Sequence, residues 1–361
     1  MMLAAEMERT DAVAAPIEIT RCPRGEAPLW DRYVENHADG GFFHLYGWGE
    51  IIETAYGYEP YYLTARRGSR IVGVLPLIDV TAPLLGRSLI STAFTVGGGP
   101  LGDDDEVVAK LAAAAIALGE EKRVRYVELR SGEAALDGWR QKTGTYANFE
   151  MTLPLSEEDH LGLIPRRRRA EIRKALAAED AGVLSLRLDG DADTFYRLYA
   201  TSLRNHGTPI FPRKFLDELL RVFAGKMEIS VVEVNGAPAA TLLSFRFKDA
   251  YLPYYVGATA KARDVRAHEY QYWKVMRLCA SRGIKTFNFG RSKVETGPYR
   301  FKKLWGAEPA PISYQYKLIA ATDMPDVNPK NPKFELLTKL WRQLPLPIAN
   351  AAGPILARNF P

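Results

Sequence analysis

Cysteine is scarce in this chain of 361 residues: Cys22 and Cys279 are the two, far apart and in neither zinc-site nor redox-pair spacing. Both are expected to be reduced thiols of a cytoplasmic protein. Long apolar runs are missing as well, since no stretch of about 18 uncharged apolar residues is present to span a bilayer. Met1 to Ala15 contains Glu6, Glu8, Arg9 and Asp11 without an apolar run, so a cleavable secretion signal is not expected. Three chemical signatures are absent too: the Gly-rich loop of nucleotide hydrolases, a His-Glu-x-x-His or paired-cysteine metal set, and the Gly-x-Ser-x-Gly elbow. Their absence argues against a P-loop nucleotide hydrolase, a zinc protease and an α/β-hydrolase.

What is present is an ordinary globular composition, 47% hydrophobic and 25% charged, in a chain long enough for two separate cores. The net charge of +5 and pI of about 9.0 favour an anionic partner without identifying it. Charge placement says more. Arg166, Arg167, Arg168, Arg169, Arg173 and Lys174 put six cations in nine residues.

One element order occurs twice. Tyr61 to Ala65 and Arg70 to Val80 read as a hairpin, followed by a strand Leu89 to Val96, a helix from about Glu106 to Leu118 and a strand Arg125 to Leu129 that ends in Arg130-Ser131. The second set is Met227 to Val234, Ala237 to Phe247, Tyr251 to Val256, a helix from about Arg266 to Ser281, and a strand Lys285 to Phe289 that runs to Arg291-Ser292. Gly97 and Gly257, with the two Arg-Ser pairs, imply an offset of about 160 residues. Such an order predicts an α/β fold in which a helix covers a twisted mixed sheet. Between the copies the spacing predicts a basic helix Pro165 to Ala181 with Ile172, Ala175 and Leu176 as its apolar face, then helices near Ala192 to Ser202 and Phe215 to Ala224. Past Ile319 the chain is Pro-rich, and one helix near Phe334 to Gln343 is expected.

The most informative stretch is Phe289-Gly290-Arg291-Ser292, with Phe301-Lys302 shortly after it. Gly290 permits a sharp departure from a strand. Gly297-Pro298 is a second turn signal that puts Lys302 just beyond a loop.

With Phe43-His44-Leu45-Tyr46-Gly47-Trp48, Gly73-Val74-Leu75-Pro76-Leu77, Gly98-Gly99-Pro100-Leu101, Val127-Glu128-Leu129-Arg130 and Gly207-Thr208-Pro209, these residues make the chain resemble the FemAB-like aminoacyl transferases. It resembles more closely the FemAB-related proteins of exopolysaccharide and protein-sorting loci. That resemblance implies two tandem GNAT-like (N-acetyltransferase-like) domains, placed here at 1–155 and 183–320, with a basic linker helix at 156–182 and a Pro-rich tail at 321–361. It also implies amide formation, an amine of a cell-wall precursor attacking an aminoacyl ester carried on tRNA, and assigns oxyanion stabilisation to Lys302. Asn288 departs from the family pattern, where relatives often carry Asp.

A cation held where negative charge develops lowers an acyl-transfer barrier, and an unperturbed lysine is fully charged at neutral pH and a poor base. The alternative for Lys302 is a solvated surface lysine beside Arg300 and Lys303. Arg291 and Ser292 either shape the substrate site, next to Phe301, or tie the loop to a strand edge. Arg166, Arg169 and Arg173 form one helical stripe, suited to a diphosphate or an RNA backbone or else a solvated face. Tyr255 and His268 are further candidates, and Thr208, beside His206, either lines the acceptor site or caps a turn. No cofactor is expected. The expected donor is aminoacyl-tRNA rather than acyl-CoA, because the helix near His268 lacks the closely spaced glycines that cradle a pyrophosphate. Expected partners are an anionic small molecule or lipid-linked envelope precursor and tRNA. The tail Leu344 to Pro361 suits either the inner membrane surface or packing on the first domain. An acyl-CoA N-acyltransferase and a non-catalytic binder of anionic polymer or lipid in polysaccharide export are the competing readings.

Overall fold

The computed structural model describes residues 15–82, 86–130, 135–325 and 332–361, with backbone alone for 332–337. The chain divides into two compact units. One comprises Met1–Thr143, Ile312–Asp326 and Asn359–Pro361, the other Gly144–Pro311 and Val327–Arg358.

The first unit orders its strands Ile17–Arg21, Glu59–Arg67, Arg70–Ala82, Gly86–Ser91, Tyr126–Leu129 and Glu308–Leu318. Neighbours are antiparallel except Gly86–Ser91 with Tyr126–Leu129, which run parallel because a helix, Asp105–Glu121, joins them. Val107, Leu111, Ala112 and Ala115 repeat at helical spacing and pack onto Leu75, Leu77, Leu89 and Val127. Asp104 caps this helix by accepting from the Val107 N–H at 2.9 Å.

The second unit has the same order in Leu184–Arg187, Met227–Val234, Ala237–Phe247, Ala250–Ala258, Thr286–Asn288 and Arg140–Thr152. Its one parallel pair, Ala250–Ala258 with Thr286–Asn288, again follows a crossover helix, Ala267–Ser281. The repeat expected from the sequence is therefore a repeat of topology. In each unit the sixth strand comes from the part of the chain that follows the other unit's core elements, which the element order read from sequence did not include.

Two details differ from expectation. The strand predicted to reach Val96 stops at Ser91, because Thr92 and Phe94 turn into positive φ (40° and 65°) and the Thr92 hydroxyl donates to the Phe43 carbonyl. Gly97 lies in the loop beyond, whereas Gly257 lies within a strand, where a Cβ would come within 2.6 Å of the Tyr199 Cα. Those two glycines are not equivalents. Ser131, half of the other match, lies outside the described residues.

The tail holds two helices, Pro332–Gln343 and Leu346–Ala357, not one. Pro345 caps the second and Pro347 sits in its first turn, where a missing N–H is no loss, while Pro354 lies inside it. Both helices pack on the helix Ala192–His206 of the second unit, Gly353 meeting Ile210. Packing of the tail on the first domain is thus corrected, except for Asn359–Pro361, where Arg130 donates to the Pro361 carbonyl at 2.8 Å. Among the described residues no helix is long and apolar enough to cross a membrane.

Candidate acyl-transfer site

Alternation along Arg140–Thr152 sends Ala147, Phe149 and Met151 into the core and turns Tyr146, Asn148 and Glu150 to the other face. Thr286–Asn288 lies antiparallel to it, Phe287 inward and Asn288 directly opposite Glu150. The strand then breaks at Gly290, whose φ of +72° favours glycine. After the turn, Ser292–Lys293 resumes pairing with Tyr146 and Ala147.

Lys302 lies on a short helix, Gly297–Lys303, rather than just beyond a loop; Gly297-Pro298 opens that helix instead of making a free turn. The helix is bent back over the motif by Phe301, Tyr272, Phe289 and Trp305, which pack ring to ring. Lys302 is 9% exposed. Its Nζ donates to the Gly290 carbonyl at 2.8 Å and the Arg291 carbonyl at 3.0 Å, and it lies 5.8 Å from the Phe149 ring centroid. Burial, and secondarily the Arg291 guanidinium, bring its pKa down from the usual 10.5 to about 7. The expectation of a fully charged lysine at neutral pH is corrected accordingly. Folding removes most of the water that would have stabilised the ammonium.

Arg291 stacks its guanidinium over Tyr146, 4.3 Å from the centroid. Ser292 is buried, and its hydroxyl has no hydrogen-bond partner among the described residues.

The basic helix, Arg166–Asp180, presents two kinds of arginine. Arg166 and Arg173 are exposed and Arg169 is half-buried, and none of them forms an ion pair among the described residues. Arg168 instead is 5% exposed, pairs with Glu269, and stacks over Phe301 (4.8 Å) and Trp305 (5.2 Å). It ties the basic helix to the segment that bears Lys302. Sequence reasoning passed over it, although 168, 172 and 175 follow the apolar spacing of Ile172 and Ala175.

Of the remaining candidates, His268 borders the cluster through Glu269, the partner of Arg168, whereas Tyr255 and Thr208 are engaged elsewhere. Tyr255 packs with Tyr199, Phe211 and Tyr254. His268 is half-buried beside Glu269, and burial lowers its pKa. The Thr208 N–H donates to the Leu203 carbonyl at 2.9 Å after Gly207 at φ +79°, the closing turn of Ala192–His206. Near the cluster, the parallel ladder between Ala250–Ala258 and Thr286–Asn288 covers two register pairs, ending at Tyr251 and Phe287. A bulge at Tyr254 then bends the longer strand.

Residues 166–303 match the family model described as Acetyltransferase (GNAT) domain; the match opens at the basic helix and closes one residue after Lys302. No curated protein matches the sequence. Among solved structures the chain is similar to FemX, with 13% identity, 90% of this chain and 100% of that chain covered, and a TM-score of 0.64. It is similar to a tandem GNAT protein from the clavulanic acid biosynthesis pathway (12% identity, 85% and 100% covered, TM-score 0.54). It is also similar to L-PGS from Bacillus licheniformis (12% identity, 89% and 97% covered, TM-score 0.52). At such identities the likeness is one of fold. The chain therefore has a FemAB-like tandem GNAT fold, and its second unit carries the segment that matches an acetyltransferase (GNAT) domain.

Proposed function

We propose that this protein is an acyltransferase that forms an amide on an amine of a cell-envelope or exopolysaccharide precursor, taking an aminoacyl group from an ester on tRNA. The observation that carries this reading is the hydrogen-bond inventory of Lys302. An ammonium has three N–H donors, and two are committed to the Gly290 and Arg291 carbonyls. The third is available to an oxyanion. As the amine nitrogen bonds to the ester carbonyl carbon, the carbonyl oxygen gains negative charge, which a preplaced cation in a dry site stabilises without solvent reorganisation. The ester C–O bond then breaks, and the leaving oxygen takes the proton that the attacking nitrogen gives up.

The pKa near 7 supports a second role at the same atom. Neutral Lys302 would keep both carbonyl contacts and turn a lone pair to the site, a base for the attacking amine. Ser292 brings an uncommitted hydroxyl, and Arg291 a planar cation. Arg166, Arg169 and Arg173 supply unpaired charge for the phosphates of tRNA or of a lipid-linked precursor. A cytoplasmic location against the inner membrane suits such a precursor, and the tail helix exposes Ile348 and Ile355, seven residues apart on one face.

Acyl-CoA remains the alternative donor. Against it, the approach to Ala267–Ser281 is a short helix, Ala260–Asp264, rather than a glycine loop, and Arg266 there is engaged by Glu171. The test is incubation of purified protein with cell-extract precursors and either labelled aminoacyl-tRNA or acyl-CoA, with mass spectrometry of new amides. A product from acyl-CoA alone overturns the donor assignment. No product, with complementation intact in Lys302→Ala and lost in the arginine-stripe variant, identifies a non-catalytic binder.

A further inference from the structure

We propose that Glu150 is a positioning residue for Lys302, acting through Asn288 and the Gly290–Arg291 turn. The proposal rests on the role given to Lys302 above. Glu150 Oε1 accepts from Asn288 Nδ2 at 2.5 Å and from Asn148 Nδ2 at 2.8 Å. The Asn288 Oδ1 in turn accepts the Gly290 N–H at 2.7 Å. The Gly290 carbonyl is the nearer of the two acceptors of Lys302 Nζ. These contacts form one run from carboxylate to ammonium across four residues.

The run has a direction. An ionised carboxylate only accepts, so the edge of the Asn288 amide that faces Glu150 must be its NH2 group, which leaves the oxygen edge for Gly290. Without Glu150 the Gly290 N–H alone is left to orient the amide, and an amide that flips sets its NH2 against that N–H. The turn would then lose the contact that holds Gly290 in its left-handed conformation, and with it the aim of the two carbonyls at Nζ. The register pairing of Asn288 with Glu150 makes the contact a property of the sheet rather than of a mobile loop.

Other charges surround Lys302. Arg291 lies on the turn, Arg168 is stacked on Phe301, and Lys293, Glu295, Arg300 and Lys303 lie on its own segment. Glu295 is the carboxylate among these groups, and Glu150, across the sheet, is the one joined by hydrogen bonds to Gly290, an acceptor of Nζ.

The test is titration of Lys302 in protein carrying 13Cε-labelled lysine, with Lys302→Arg to identify the resonance. Glu150→Ala is expected to lower the midpoint by about one pH unit, tenfold in protonated fraction, because the ammonium loses a well-aimed acceptor. Glu150→Gln can still turn an oxygen to Asn288 and should stay within about 0.3 unit of wild type. Asn288→Ala should reproduce the shift of Glu150→Ala, and the double variant should add nothing, as expected for two members of one network. An unchanged or raised midpoint in either alanine variant, or additive shifts, overturns the proposal; if Glu150→Ala does not fold, Asn288→Ala decides alone. The titration needs no substrate, so its outcome is separate from that of the transfer assay.

Discussion

The protonation of Lys302 is the point at which the acyl-transfer reading is most exposed. With a pKa brought to about 7 by burial and by Arg291, the ammonium and amine forms exchange dominance within the physiological range. If the cation stabilises the oxyanion, turnover should fall about tenfold per pH unit above 7, as the charged form is lost. If the amine is the base, turnover should instead rise about tenfold per unit up to 7 and then level. The acceptor amine also ionises, so the useful quantity is a ratio. Lys302→Arg keeps a permanent charge, with a pKa above about 12. For the oxyanion role, its single-turnover rate relative to wild type should change little below pH 7 and climb about tenfold per unit above it. For the base role the same variant should be inactive throughout. Lys302→Ala should lose on the order of 10²-fold or more under either role. An active Lys302→Arg whose ratio stays flat from pH 6 to 9, or wild-type turnover in Lys302→Ala, would refute the reasoning.

Three further outcomes follow from the same geometry. Below pH 7 the buried ammonium is present in folded and unfolded chains alike and its burial penalty is complete; between about 7 and 10.5 the unfolded chain binds a proton that the folded chain does not, so stability rises with pH. Lys302→Met should therefore have its greatest advantage over wild type below pH 7, shrinking by up to about 5 kcal/mol toward pH 10.5; denaturant unfolding at both pH values checks it, and a pH-independent difference rejects it. Arg168→Met should destabilise by about 3 kcal/mol because Glu269 is left without its cation, and adding Glu269→Leu should restore most of the loss, as measured by thermal unfolding. Reversing Arg166 and Arg169 to Glu should reduce the salt slope of tRNA binding by roughly 1.5 to 2; an unchanged slope removes the stripe from binding.

The strands and helices of both repeats were legible because their signals are local. Asn235-Gly236 marks a hairpin that is observed between Met227–Val234 and Ala237–Phe247, and the Ile172–Ala175 spacing marks the buried face of the basic helix. The first strand of each sheet, Ile17–Arg21 and Leu184–Arg187, was not read from the sequence, and the sixth was not legible. Arg140–Thr152 and Glu308–Leu318 are recruited by pairing with residues more than one hundred positions away, and nothing in their own composition names that partner.

The candidate site divides the same way. Residue identity alone singled out Gly290, Arg291, Ser292 and Lys302, since a backbone that must take a positive φ and a cation near a strand end are readable from residue types. The packing of Phe149, Tyr272 and Trp305 decided that Lys302 is dry and titrates near 7, because desolvation depends on which groups replace water and not on sequence neighbours. Register placed Glu150 opposite Asn288, and helix docking turned Arg168 inward while Arg166, Arg167 and Arg173 stayed in solvent. Sequence by itself determined the chemistry available to this protein; tertiary structure decided which of those groups lost their water and which were brought within hydrogen-bonding reach.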